Sequence, residues 1–186
     1  MANKDAAFGL KAIGKVGQNR DNQGLSEYSI AANATAIYQW DPVEMLATGT
    51  VGVAAATDVL IGSLNGVFYT DSANSKPTWA NHLAASNTAT DIVGFVSDDP
   101  YERFEVQSAG TVAAADVGLC ADIVYAAGST PDYISKVEIS GTMANTTAQL
   151  KIIGLSKDIE NNDPSAANGN VVVIINEHFM KQTAGI

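Results

Sequence analysis

The sequence predicts an all-β protein: a single β-sandwich, jelly-roll-like or barrel body over residues 26–186, preceded by an extended N-terminal arm over residues 1–25. Three observations predict it. Short apolar runs of strand length recur at fairly even spacing, with turn-forming residues between them. Isoleucine and valine together number 30 against nine leucines, the β-branched bias that suits a pleated surface. No window of a dozen residues carries a clean helical stripe of apolar side chains.

Residues 2–25 are rich in Gly, Asn, Gln and Lys and follow neither the helix nor the strand period. Gly9, Gly14, Gly17 and Gly24 interrupt any regular element, which leaves room for one helical turn at Asp5-Ala6-Ala7-Phe8. Phe8, Leu10, Ile13 and Val16 are larger apolar groups than a free tail needs, so the arm is expected to dock on something.

From Ser26 onward strand follows strand. Tyr28 and Ile30 alternate with Glu27 and Ser29, and Ile37-Tyr38-Gln39-Trp40, Val43-Glu44-Met45-Leu46 and Val51-Gly52-Val53 come next. Val59-Leu60-Ile61 and Val67-Phe68-Tyr69 flank Asn65-Gly66, a pair suited to the positive φ angles of a tight hairpin. Residues 71–90 read as a long loop through Pro77 to Trp79, of the kind that carries functional surface. Ile92–Val96, Arg103–Val106 and Ile123–Tyr125 continue the series. Tyr133–Ile139 alternates strictly and predicts one wet and one dry face. Leu150–Ile153 follows, and Val171–Ile175 is continuously apolar, as a central strand buried on both sides would be. Asp98-Asp99-Pro100, Gly128-Ser129-Thr130-Pro131 and Asn161-Asn162-Asp163-Pro164 punctuate the strands.

Charge bears on partners. Ten bases against twenty acids give a net charge of −10 and a pI near 4.4, which repels a phosphate backbone, so nucleic acid is not an expected partner. The first twenty residues nonetheless hold Lys4, Lys11, Lys15 and Arg20 against Asp5, a local net of +3 on a body of net −13. A cationic leader can sit on an acidic surface, its own or a partner's, or serve as a solvated tail. No stretch reaches the ~18 apolar residues of a membrane span, and Met1–Asp5 has no signal-peptide pattern. The expectation is a protein made in the cytoplasm, with no membrane partner.

Residues that carry chemistry are sparse. His82 and His178 are the imidazoles, expected at the solvent-exposed surface, and no Gly-x-Ser-x-Gly stands near either. Cys120, amid Val117, Gly118, Leu119 and Ala121, reads as a small buried hydrophobe. Asp158–Asp163 resembles half of a calcium loop, but Asp163 stands where the sharp-turn glycine belongs, and a solvated acidic turn is the better reading. Asp98, Asp99 and Glu102 read as an acidic hairpin tip rather than a glycosidase pair. The expectation is no enzyme, no catalytic residue, no metal and no cofactor. Trp40 reads as core, and Trp79, in a loop after Pro77, as a surface contact residue.

Ala2-Asn3-Lys4-Asp5-Ala6-Ala7-Phe8-Gly9-Leu10 resembles the opening of the small capsid decoration, or cement, proteins of tailed bacteriophages, with further echoes at Tyr28-Ser29-Ile30, Asp41-Pro42-Val43 and Ile92–Val96. Lys11-Ala12-Ile13 departs from the Lys-Pro-Ile that commonly follows that opening. The resemblance implies a β-sandwich body on the outside of the shell in the virion, bound to the major capsid protein. It also implies self-association as a dimer or trimer, and a terminal arm that engages the shell. On that reading Lys4, Phe8, Leu10, Lys11, Ile13, Lys15 and Arg20 are the capsid-contact residues. The alternative is a carbohydrate- or host-surface-binding module of a head fibre or spike, with Trp79, Tyr69 and Tyr101 as stacking groups.

Overall fold

Where apolar and polar residues alternate the backbone runs as strand, and where Asn, Asp, Ser, Gly and Pro gather it turns. The computed structural model describes residues 2–17 and 24–182. In chain order the strands are β1 (Lys11–Lys15), β2 (Ser26–Ser29), β3 (Pro42–Met45), β4 (Val51–Val53), β5 (Leu60–Asp71), β6 (Lys76–Ala80), β7 (Val93–Ser97), β8 (Glu102–Gln107), β9 (Cys120–Ala121), β10 (Ile123–Val124), β11 (Glu138–Ile139), β12 (Leu150–Leu155) and β13 (Asn170–Ile175). Two single 3-10 turns, Ala114–Asp116 and Phe179–Lys181, are the helical elements among the described residues.

One antiparallel sheet has the order β1-β8-β13-β12-β9, and a second has the order β2-β7-β5-β3-β4 with β6 pairing the far half of β5. Both sheets end in open edges, so the architecture is a sandwich of packed antiparallel sheets, not a closed barrel. The chain crosses from the second sheet to the first between β7 and β8, at residues 98–101. β1 pairs with β8 and β2 pairs with β7, so the first two strands flank the two strands that this crossing joins, one in each sheet. The acidic tip expected at Asp98–Glu102 is therefore no hairpin, because its two strands lie in different sheets. Asp98 accepts hydrogen bonds from Ser26 Oγ (2.9 Å) and Tyr28 OH (2.6 Å), which ties β2 to this crossing.

Two apolar clusters fill the interior. The first gathers Phe104, Val106, Leu150, Ile152, Val171, Val173 and Ile175 from the five-stranded sheet with Leu10, Ile123, Val137, Ile139 and Leu60. The second holds Ile61, Leu64, Val67 and Val96 with Val43, Val51, Ile30, Ile37, Leu83 and Ile92. Leu60 and its neighbour Ile61 belong to different clusters, so the start of β5 has core on both faces.

Several expectations change. Residues 2–17 are extended, but they are not an arm that leaves the body. Leu10 is fully buried in the first cluster, and β1 is an edge strand of the five-stranded sheet with Lys11 opposite Glu105. No helical turn forms at Asp5–Phe8. Asn65-Gly66 is not a hairpin turn. β5 runs straight through it with a bulge between Leu64 and Gly66, and neither residue has the positive φ that such a turn demands. The tight turn comes later, at residues 72–75, where the Asp71 carboxylate takes the Ala73 N–H (2.9 Å) and Asn74 Nδ2 (2.6 Å). The loop expected at 71–90 therefore contains β6. Tyr133–Ile139 keeps its alternation, with Ser135, Val137 and Ile139 buried, but ladder pairing is confined to β11. β13 is central, yet Val172 and Ile174 are only half-buried, because the outer face of its sheet is open.

Burial of Leu10 makes a stability prediction. Leu10→Ala is expected to cost about 2–5 kcal/mol in urea unfolding, the range for emptying a packed leucine site. Ile13→Ala, exposed on the same segment, is expected to change stability by about 0.5 kcal/mol or less.

Candidate functional site, an exposed aromatic face

The N-terminal residues are largely committed to their own chain. Asn3 Nδ2 donates to the carbonyls of Asp163 (3.0 Å) and Ala167 (2.9 Å). Asn161 clamps Lys4 from both sides of its peptide unit, accepting from Lys4 N–H (2.9 Å) and donating to its carbonyl (3.0 Å). Gln107 Nε2 donates to that same carbonyl at 2.9 Å. Phe8 is half-buried and Leu10 buried, so Leu10 cannot serve as a contact residue for another molecule without leaving its core. Lys15 Nζ lies 2.7 Å from the Asp99 carboxylate, which raises the lysine pKa and lowers that of the aspartate. Lys11 Nζ sits 5.6 Å from the centroid of the Trp40 ring, a cation–π distance, while the side chain as a whole stays exposed. The side chains of Lys4, Lys11 and Ile13 face solvent. Arg20 lies outside the described residues.

Trp79 is on strand β6, not in a loop, and is 56% exposed. Its cross-strand partner on β5 is Phe68, 41% exposed. Gly66, two residues before Phe68, lies beneath the indole: a Cβ there would stand 2.6 Å from Trp79 Cζ2. With no side chain in the way, the ring reaches across β5 to Phe95 on β7, with centroids 4.9 Å apart and planes tilted by 52°. Val93, opposite Phe68, completes the patch. The sheet explains why these rings share a side. Successive strand residues point to opposite faces, so Val67 and Tyr69 turn into the second core while Phe68 turns out. Further along the same face, Ser63 and Ser97 are opposite each other and buried. One sheet face thus passes from buried to open along β5 and β7.

Sequence reasoning found Trp79 but missed Phe68, Phe95 and Gly66, because the supposed turn at Asn65-Gly66 hid the continuity of β5. The adjacent aromatics Phe68 and Tyr69 were the available signal, since a strand must point one of them outward. Tyr69 packs against the second core, and Tyr101 stands at the crossing between sheets beneath Lys181 (Nζ 4.9 Å from the ring). Trp79, Tyr69 and Tyr101 therefore form no common stacking platform.

The histidines are not freely exposed. His82 is half-buried and stacked on Tyr133 at 3.8 Å, with planes 6° apart, and burial lowers its pKa. His178 is fully buried, and its Nδ1 accepts the Met180 N–H at 3.1 Å. Burial, with Lys181 nearby, pushes its pKa down. Cys120 is half-buried on the edge strand β9, and Trp40, at positive φ, is half-buried beneath Lys11 rather than in the core. The Asp158–Asp163 turn holds the N-terminal segment through Asn161. Among the described residues no three His, Cys, Asp or Glu side chains gather as a metal site, and no helix is long and apolar enough to cross a membrane. Comparison with protein-family models, with curated proteins and with solved structures found no match to this chain.

Asp41 is the perturbed carboxylate of the interior. It is fully buried and its Oδ2 accepts the Tyr38 N–H at 2.8 Å. Desolvation raises its pKa to about 6, against smaller opposing effects of Ser135 and Tyr38. The folded state then holds this proton more tightly than the unfolded state, so its contribution to stability falls as pH rises from about 4 to about 6.

Two measurements test this geometry. The stability difference between wild type and Asp41→Asn is expected to shift against wild type by about 2 kcal/mol between pH 4 and pH 6, at 1.36 kcal/mol per pKa unit. A flat difference would refute the buried acid. Gly66→Ala is expected to displace the Trp79 ring, seen as altered near-UV dichroism and fluorescence. Its stability cost is expected to shrink in a Trp79→Ala background, the non-additivity of residues in contact.

Proposed function

We propose that the protein is a structural virion component, a decoration protein that binds the major capsid protein on the outside of a tailed-bacteriophage shell. The observation that carries this reading is the aromatic face. Trp79 lies over Gly66 and against Phe95, fixed by the sheet yet more than half exposed, with Phe68 open beside it. Rings held rigid before binding lose little conformational freedom on contact, the property of an interface anchor. The likeness of Ala2–Leu10 to the opening of decoration proteins supports the same reading. So does the net charge of −10, which keeps many copies on one particle from gluing particles together.

Attachment in this scheme differs from a cationic arm reaching into the shell. Lys15 is already paired and Leu10 already buried, so the N-terminal segment contributes the open side chains of Lys4, Lys11 and Ile13 from the sheet edge. The open parts of two aromatic rings supply on the order of several kcal/mol at about 25 cal/mol per Å², before ordering costs. Durable binding then rests on a homo-oligomer, a dimer or trimer, whose copies engage the shell together. The exposed indole also suits a sugar ring, so a glycan-binding head-fibre module is the second reading.

Co-sedimentation with empty shells tests the proposal. Wild type is expected to pellet in a fixed ratio to the major capsid subunit, and Trp79→Ala to bind about tenfold or more weakly with its fold intact. Wild type that stays in the supernatant, with Trp79-dependent binding on a glycan array, would replace the proposal with the second reading.

A further inference from the structure

The charges around the aromatic face are one-sided. The same side of the sheet carries Phe68 on β5, Trp79 and Pro77 on β6, Val93 and Phe95 on β7, and Glu27 on β2, opposite Phe95. Glu27 is exposed and stands two strand spacings from Gly66, about 10 Å. On the other flank Asp91 is exposed, and its carboxylate accepts the Thr70 N–H at 3.1 Å, two residues along β5 from Phe68. The Thr70 side chain, together with that backbone hydrogen bond, lowers the Asp91 pKa below the usual carboxylate range. Among the described residues no lysine or arginine occupies a position on this face. Lys76, the nearest base on β6, is paired with Asp71 at positions of the opposite side. The face is therefore an apolar centre between two carboxylates, on a chain that is acidic overall.

We infer that this face receives a basic, apolar segment of a partner protein, with aliphatic side chains on Phe68 and Phe95, an arginine over the exposed indole of Trp79, and basic groups towards Glu27 and Asp91. A guanidinium is weakly hydrated and planar, so it stacks on an indole at small desolvation cost. An acidic segment would meet like charge on both flanks, and like-charge contacts set specificity against the wrong partner. A neutral sugar would gain the ring but make no use of either carboxylate. The inference rests on the reading that this face is a contact surface, and it names the chemistry of what it contacts.

The test is an NMR titration of the full 15N-labelled chain with the peptide acetyl-Arg-Leu-Gly-Leu-Arg-amide. Controls are the same peptide with glutamate in place of arginine, and cellohexaose. The expected result is chemical-shift change at the Trp79 indole N–H and around residues 27, 66, 68, 91 and 95, with the glutamate peptide inert. Trp79→Ala is expected to weaken binding about tenfold. Glu27→Gln with Asp91→Asn, which keeps an acceptor for Thr70, is expected to weaken it about threefold or more, the sum of two exposed ion pairs. Asp5→Asn with Glu160→Gln, an equal charge change elsewhere on the surface, is expected to leave it unchanged. Loss of affinity on raising salt from about 0.05 to about 0.5 M is expected as well.

Shifts confined to another acidic region such as 158–163, equal binding by the Glu27/Asp91 variant, cellohexaose binding at Trp79 in place of the arginine peptide, or no shift at all would overturn the inference. The two readings fail separately. A Trp79→Ala protein that still sediments with shells, but no longer binds the peptide, removes the face from shell attachment and leaves the recognition of basic segments standing. Trp79-dependent shell binding without any peptide response does the reverse.

Discussion

The rest of the molecule depends on β5 serving two cores at once. Leu60 turns into the cluster shared with the five-stranded sheet, and Ile61 into the cluster on the other side. A strand with apolar burial on both faces is held in place by roughly 25 cal/mol for each Å² removed from water on each side, and it fixes the register of whatever pairs with it. β3, β6 and β7 all pair with β5, so their placement follows from this one constraint. Because β5 is twelve residues long, its far half extends beyond the buried Ser63–Ser97 pair, and the face that is core at one end is exposed at the other. The aromatic patch is the exposed continuation of the sandwich interior, and its Trp79 ring packs over Gly66 and against Phe95.

The N-terminal segment shows how a sequence of tail-like composition becomes structural. Carboxamides hold its first residues: Asn161, Asn170 and Gln107 are buried and joined to one another, Asn161 and Gln107 bond the Lys4 backbone, and Asn3 reaches three carbonyls of the 163–167 turn. Neutral amides suit this task because each offers donors and an acceptor without the desolvation cost of a buried charge. The arrangement places Leu10 in the core and lays β1 along the edge of the sheet. Of the positive charge on this segment, Lys15 is paired with Asp99 and Lys11 lies at a cation–π distance from Trp40, while the Lys4 side chain faces solvent; the exposed aromatic face is bordered by Glu27 and Asp91.

The fold class was legible in the residues, because strand periodicity and β-branched composition act locally and do not depend on which strand pairs with which. The outward position of Trp79 was legible as well. Pairing was not. Asn65-Gly66 has the composition of a tight turn, yet the chain passes through it extended, because apolar residues on both sides are held by β7 and because the glycine makes room for the indole of Trp79, thirteen residues away in sequence. Phe68 and Phe95 could not be joined to Trp79 without that pairing. His178 read as a surface histidine because its neighbours Asn176 and Glu177 are polar, whereas the parallel bridge between Leu60 and His178 buries it.

The sequence by itself determined that this chain forms antiparallel sheets, that its surface is acidic, and that some large aromatic groups must face water, all consequences of composition and short-range alternation. The tertiary structure decided which aromatics gather, which lysines stay exposed, and that residues 2–17 pack onto the body. Those outcomes depend on contacts between residues up to 164 positions apart, as between Asn3 and Ala167. No local pattern encodes such contacts, because each exists only once burial on both faces of β5 has set the sheets against one another.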